Sequence, residues 1–326
     1  MNKRNIGVIT VSRSDYSIYY PILKKICEDK ELRLHLIVGG MHLSPEFGLT
    51  LRAIEQDGFE ISERIEMLLS SDTPEGIAKS MGLGIIGFAQ AYARSLPDIL
   101  LVLGDRYDML SAVVAALPFK IPVAHIHGGE STEGAIDEAI RHSITKMSHL
   151  HFVATETYAQ RVIQMGEEPW RVIVSGAPSL DNLHRTRLLS REDIEKRYGI
   201  DLRDPLLLVT YHPVTLEYEE TERQMKELLA ALEEIEGTLI FTYPNADTSS
   251  RLVIQMIQEF TKKHHQAHIV VNLGTEGYFS IMNYAAAMIG NSSSGIIEGA
   301  SFKLPVVNIG SRQRGRLHGK NVIDVG

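Results

Sequence analysis

Pro97-Asp98-Ile99-Leu100-Leu101-Val102-Leu103-Gly104-Asp105-Arg106 is the stretch that decides the fold. Its apolar run has no polar alternation, which predicts a strand buried on both faces, as in the middle of a parallel sheet. Gly104 ends the run, and an acid and a base follow. Asp105 and Arg106 have little structural reason to stand at the carboxyl end of a buried strand, and α/β domains place their ligands there. On either side, β-branched runs bounded by Gly, Pro or Asp recur at residues 5–11, 32–38, 123–126 and 150–154, alternating with helical patterns. That alternation predicts βαβ units in a parallel sheet. Ile18, Ile22, Leu23, Ile26 and Cys27 repeat at helical spacing, so Cys27 is expected to be a small core residue.

A mostly polar helical stretch at residues 183–196 breaks the pattern. A second series of strand-like runs follows at 205–210, 237–242, 268–273, 287–290, 305–309 and 321–325, with an amphipathic segment at 225–235. The chain is therefore expected to be α/β, with two Rossmann-like doubly wound domains at residues 1–185 and 186–326. Such domains usually close with a helix, so a C-terminal helix is expected to be missing. The 326 residues suffice for two cores. Lys plus Arg number 33 against 41 Asp plus Glu, and the formal charge of −8 argues against a nucleic-acid platform. One cysteine excludes an internal disulfide framework, no apolar run reaches membrane-spanning length, and the start MNKRNIGVITV lacks the shape of a cleavable leader. The expected setting is cytoplasmic.

Gly82, Gly84 and Gly87 spell GxGxxG, but they follow a capped helical start at 73–81 rather than a strand. Close helix packing or a mobile lid is expected there in place of a nicotinamide site. The loop after the first strand offers Arg13, Asp15 and serines including Ser17, either to an anion at a helix start or as a plain helix cap with a solvated Arg. His125 and His127 alternate along one strand, which raises an HxH metal pair. No Cys lies nearby, and Glu130, Asp137 and Glu138 follow, so proton transfer is favoured over metal binding. Asp137 and Arg141 lie one helical turn apart and would otherwise make a surface ion pair.

In the second half, Tyr211-His212-Pro213, Asn245-Ala246-Asp247 and Asn291-Ser292-Ser293-Ser294-Gly295 each end a strand-like run. A hydroxyl-rich turn at a helix start suits a phosphate, and an N-cap explains one serine of the three. Glu298 lies just beyond and suits vicinal ribose hydroxyls. Arg312, Arg314 and Arg316 supply diphosphate charge or form an exposed basic strip. A nucleotide diphosphate bound by two Rossmann-like domains fits this spacing.

Taken together, SRSDYS, LGDRYD, HIHGGE, DEAIRHSITK, VTYHPVT, PNAD, GNSSSGIIE and NIGSRQRGR resemble the hydrolysing UDP-N-acetylglucosamine 2-epimerases of sialic-acid-type pathways. The resemblance implies a GT-B-like arrangement, no nicotinamide or other cofactor, and no catalytic metal. It also implies a small-molecule UDP-sugar substrate, no nucleic-acid or membrane partner, and a homodimer or homotetramer. By that resemblance Arg13, Ser17 and Arg106 reach the nucleotide from the first domain. His212, Asn245, the loop at Leu273, Ser292, Ser293, Glu298 and Arg312 hold UDP from the second. The implied reaction is anti elimination of UDP to a 2-acetamidoglucal, then hydration that inverts C2 and yields N-acetylmannosamine. Two positioned acid–base groups are needed, and Asp105, His127, Glu130 and Asp137 are the candidates, with Arg141 orienting them and His212 at the leaving oxygen. Many relatives carry Glu where this chain has His127. Either the histidine or Glu130 takes over that proton transfer, and the change fits a different sugar, UDP-2,4-diacetamido-2,4,6-trideoxyglucose. A GT-B glycosyltransferase and a silent UDP-sugar binder are the readings from other classes.

Overall fold

The computed structural model describes residues 3–326. The chain divides into two compact units, one running to Glu130 and resuming over Asp137–Asp181, the other comprising Ser131–Ile136 and Asn182–Gly326. The division after Asp181 lies a few residues before the expected one, and a short excursion from the first half belongs to the second unit.

The first unit contains β1 (Arg4–Thr10), α1 (Arg13–Glu28), β2 (Leu32–Gly39), α2 (Leu51–Gln56), β3 (Ile61–Ile65), α3 (Pro74–Arg94) and β4 (Ile99–Leu103). It continues with α4 (Tyr107–Ala116), β5 (Val123–Ile126), α5 (Asp137–Met147), β6 (Leu150–Val153), α6 (Glu156–Gln164) and β7 (Val172–Val174). The sheet order is β3-β2-β1-β4-β5-β6-β7, with every pair parallel. β4 is central as its composition demands, with Leu100 and Val102 fully buried. Each such side chain contributes about 1.5–3 kcal/mol on leaving water. The order reverses between β1 and β4, the switch point where a doubly wound sheet opens a crevice at its carboxyl ends.

After α7 (Asp181–Arg185), the second unit adds α8 (Arg191–Tyr198), β8 (Leu206–Thr210), α9 (Thr221–Glu233), β9 (Thr238–Phe241), α10 (Ser250–Lys263) and β10 (Ala267–Ile269). It ends with α11 (Gly274–Tyr284), β11 (Ala287–Gly290), α12 (Ser293–Ile297), β12 (Val306–Ile309) and β13 (Val322–Val325). Its parallel order is β10-β9-β8-β11-β12-β13, so its switch point lies between β8 and β11. Strand alternation divides the core into two. Leu206 and Leu208 face a cluster with Ile281, Met288 and Val306, whereas Leu207 and Val209 face one with Met225, Leu229 and Ile257.

Four local readings change. Cys27 is exposed, because α1 buries Tyr16, Tyr19, Leu23 and Ile26 and Cys27 lies one residue round the helix from that face. β10 stops at Ile269, and the apolar residues after it, Val270 and Leu273, enter the core from a loop. β3 and β7, absent from the strand-like runs, are edge strands. The GxGxxG glycines lie inside α3, capped by Thr73. A Cβ on Gly84 would stand 2.6 Å from Met67 Cε, and one on Gly87 2.7 Å from Ile65 Cγ2. Gly84 and Gly87 serve close packing within a helix, whereas a Cβ on Gly82 would meet nothing within 4 Å.

Candidate active site

At the first switch point, β4 delivers Asp105 and α5 delivers Arg141, whose side chain is completely buried. Arg141 NH2 donates to Asp105 Oδ2, while NH1 donates to Glu138 Oε2 at 3.0 Å and to the Glu130 carbonyl at 3.2 Å. This excludes the surface ion pair. Burial opposes the charge on Arg141, but Asp105, Glu130 and Asp137 together hold its pKa above the usual guanidinium value. Asp137 is the first residue of α5 and half-buried. One buried cation thus gathers three of the candidate acids.

His127 Nδ1 lies 2.5 Å from Glu130 Oε1, both side chains being buried. The proposed pairing of His127 with His125 does not form. His125 stays in β5, with Nε2 2.8 Å from the Gly104 carbonyl and Nδ1 3.2 Å from Thr145 Oγ1, and burial pushes its pKa down to about 3. His127 has left the strand with φ of 67°, so strand alternation no longer governs where its ring points. Among the described residues no group of three or more His, Cys, Asp or Glu is disposed to hold a metal ion.

In the β1 loop Asp15 has a structural part. Asp15 accepts the amides of Val11 and Ser12, each at 2.9 Å, and the Thr10 hydroxyl at 3.0 Å, and so completes the capping box of α1, whose N-cap is Ser12. Burial lifts its pKa to about 6 against these hydrogen bonds and Arg106. His42, 2.9 Å from Thr10 Oγ1, is pushed down to about 3 by burial, with the nearby charges of Arg106 and Arg13 adding to it. Arg13 opens α1, and Ser17 donates to the Ser14 carbonyl. Arg106 precedes α4 and is held through Nε (3.1 Å) and NH2 (2.9 Å) by fully buried Asp108.

At the second switch point, β8 ends at Thr210, two residues before His212, and β11 ends at Gly290, just before Asn291. Asn291 joins them: its Oδ1 accepts the His212 amide at 2.7 Å and its Nδ2 donates to the His212 carbonyl at 2.8 Å. Arg312 NH1 and Gln313 Nε2 then donate to the Asn291 carbonyl at 3.0 and 2.8 Å. The Asn245 amide donates to His212 Nδ1 at 3.2 Å, so in the neutral ring Nε2 carries the proton. Ser292 caps α12 and Ser293 opens it, while the Ser294 hydroxyl lies 3.0 Å from that of Ser292 and 2.5 Å from that of Tyr278.

Three expectations shift here. α12 has only five residues, so amides and hydroxyls rather than a long helix dipole suit an anion. Glu298 is buried at the far end of α12, and Leu273 is a core residue whose carbonyl accepts from Tyr198 at 2.7 Å. The arginines form no strip, since Arg314 is exposed, Arg316 donates to Gln313, and only Arg312 reaches the Asn291 carbonyl. A cavity of about 820 Å³ between α9 and β11–β13 is lined by Ile289, Val307, Ile309 and Val325 but by neither His212 nor Ser292.

A sequence profile described as UDP-N-acetylglucosamine 2-epimerase matches residues 24–326. The chain belongs to this family. It is 44% identical over 326 residues to the Campylobacter jejuni GDP/UDP-N,N'-diacetylbacillosamine 2-epimerase (hydrolyzing), covering 99% of this chain and 85% of that protein. Identity to the Legionella pneumophila UDP-N,N'-diacetylbacillosamine 2-epimerase (hydrolyzing) is 39%, with the same two coverages. To the Neisseria meningitidis UDP-N-acetylglucosamine 2-epimerase it is 32%, covering 98% and 83%. Among solved structures, the Methanocaldococcus jannaschii UDP-GlcNAc 2-epimerase in complex with UDP-GlcNAc and UDP shares the fold, with a TM-score of 0.82, 18% identity, and 99% and 89% of the two chains covered. The epimerase is thus an α/β enzyme of nucleotide-sugar chemistry with two Rossmann-like sheets. No helix among its described residues is long and apolar enough to cross a membrane.

Sequence reasoning gave Asn291 no role beyond ending a strand-like run, and passed over Asp108 and the segment Ser131–Ile136. That segment packs within the second unit: the Glu133 amide donates to the Arg314 carbonyl at 3.0 Å, and the Ile136 amide to Thr215 Oγ1 at 2.9 Å. A Cβ on Gly134 would stand 2.4 Å from the Ser311 carbonyl oxygen. The Arg-x-Asp spacing at the start of α4 was a legible signal for Asp108. The role of Asn291 depends on β8 lying beside β11, which local sequence does not express.

Proposed function

We propose that this epimerase converts UDP-2,4-diacetamido-2,4,6-trideoxyglucose and water to UDP and the free sugar inverted at C2. The observation that carries this reading is the order of the relatives: those named for the diacetamido sugar are 44% and 39% identical, against 32% for the relative named for UDP-GlcNAc. The substrate placed first from the sequence, UDP-GlcNAc, thereby becomes the second reading, supported by the description of the family profile.

In the proposed chemistry a base removes the C2 proton. The C–H electron pair forms the C1–C2 double bond, and the C1–O bond breaks with its pair leaving on UDP. Water then adds OH to C1, and an acid delivers a proton to the opposite face of C2. Asp105, His127 and Asp137 are assigned to the proton transfers and Arg141 to orienting the acids. His212, through its Nε2 proton, Ser292, Ser293 and Arg312 meet the diphosphate, where fixed donors stabilise the charge that develops on the leaving group. Asn245, the loop at Leu273 and Glu298 hold the nucleoside, and Arg13, Ser17 and Arg106 meet the nucleotide from the first unit. UDP release from the two substrates, measured side by side, tests the assignment. A kcat/KM at least about tenfold higher with the diacetamido sugar is expected, a difference of about 1.4 kcal/mol in transition-state binding. Equal values, or a preference for UDP-GlcNAc, would reverse it.

A further inference from the structure

His127 and Glu130 make a buried hydrogen-bonded unit, and its geometry assigns two different roles. The His127 amide still donates to the Phe152 carbonyl at 3.0 Å, but φ of 67° then turns the chain through the left-handed region, which is strained for a non-glycine residue. The ring is buried, with Nδ1 2.5 Å from Glu130 Oε1, and Nε2 has no hydrogen-bond partner. A buried polar atom without a partner keeps its desolvation penalty uncompensated. Both features at one residue, beside a ring already fixed through Nδ1, are the mark of a group kept for a ligand.

We infer that Glu130 is the positioning residue for His127, fixing the ring so that Nε2 is the base that takes the C2 proton; this rests on the proposed function. Arg141, electrostatically coupled to Glu130 and donating to its carbonyl, favours the carboxylate form. A carboxylate only accepts hydrogen bonds, so Nδ1 carries the ring proton and the lone pair lies on Nε2. His212 shows the opposite tautomer, with Nδ1 accepting a backbone amide and Nε2 protonated. One histidine is therefore set as a proton acceptor and the other as a donor. When Nε2 takes the C2 proton, the C–H pair passes into the C1–C2 double bond and the C1–O pair leaves with UDP. The imidazolium so formed stands against the Glu130 carboxylate. The second proton transfer, to the other face of C2, falls to Asp105 or Asp137.

The test has a spectroscopic arm and a kinetic arm, both on the full chain. Long-range proton–nitrogen NMR of histidine-labelled protein should show His127 protonated at Nδ1, and Glu130→Leu should abolish that pattern. Glu130→Gln should lower kcat on the order of 10²-fold with KM little changed, and should move the acidic limb of the kcat profile to lower pH, since the charge that stabilised the imidazolium is gone. His127→Gln should cost about 10²–10⁴-fold in kcat while UDP affinity, read by calorimetry, is retained. A proton on Nε2 in the parent protein would overturn the inference. So would an unmoved acidic limb in Glu130→Gln, or a His127→Gln enzyme that stays active while Glu130→Gln is dead, which would make Glu130 the base. If the parent protein releases UDP from neither sugar, the proposed function fails by itself and the ring-nitrogen spectrum still decides the tautomer.

Discussion

Arg141→Met removes the one buried cation that Asp105, Glu138 and the Glu130 carbonyl share. The methionine fills much of the same volume, so the loss is electrostatic rather than a cavity. Stripping one partner from a buried ion pair costs about 3–5 kcal/mol, because the remaining charge keeps its desolvation penalty. The Asp105 and Glu138 side chains are 23% and 26% exposed and recover some hydration, which places the expected loss near the lower end, about 3 kcal/mol. In a unit of this size that corresponds to a fall of roughly 6–12 °C in its melting transition. Arg141→Lys keeps the charge but cannot span both partners, and should lose about 1.5–3 kcal/mol, the worth of one charge-assisted hydrogen bond. Urea titration and calorimetry at pH 7 read both variants. The deficit of Arg141→Met should narrow below about pH 4, where the abandoned carboxylates take up protons. A loss under about 1 kcal/mol at pH 7, or one indifferent to acid, would refute the view that Arg141 is the electrostatic hub of the acids.

Asp105→Asn should abolish turnover with UDP affinity largely kept; full activity in that variant would end its assigned role. Ser292→Ala should weaken UDP binding by about 0.5–1.5 kcal/mol, one hydrogen bond's worth, and an unchanged calorimetric Kd would remove the hydroxyl turn from the phosphate site. Asp108→Asn should raise KM more than it lowers kcat, because Arg106 loses a charged anchor and not a reacting group; the reverse split would place Arg106 in the chemistry. Acid should destabilise the fold. His42 and His125 sit near a pKa of about 3 by burial, so between there and the ordinary 6.5 the unfolded chain binds more protons and stability falls as pH falls, about 1.4 kcal/mol per pH unit for each. Asp15, raised to about 6 by burial, takes its proton first in the folded state and offsets one histidine between about 6 and 3.8. The urea midpoint should therefore drop between pH 6.5 and 4, and a flat profile would show that these histidines are not held neutral.

The central strand β4 was legible residue by residue, because a parallel strand buried on both faces leaves an unbroken apolar run, and it has the bounds its sequence predicts. Edges were not. β3, Ile-Ser-Glu-Arg-Ile, buries only Ile65, and β7 is three residues long, so both depend on neighbours that pattern does not reveal. The same limit governs the site. Asp105, Glu130 and Asp137 stood out as acids at strand or helix ends, but their union on Arg141 requires β4 and α5 to be adjacent. His125 and His127 looked equivalent until one positive φ separated a structural ring from a candidate base.

The most direct test of the account is proton and phosphorus NMR of the protein with UDP-2,4-diacetamido-2,4,6-trideoxyglucose in heavy water. Elimination followed by hydration predicts free UDP together with a C2-inverted sugar that carries deuterium at C2. Free UDP with a sugar that keeps its C2 hydrogen would contradict the elimination, and intact substrate would contradict the function itself.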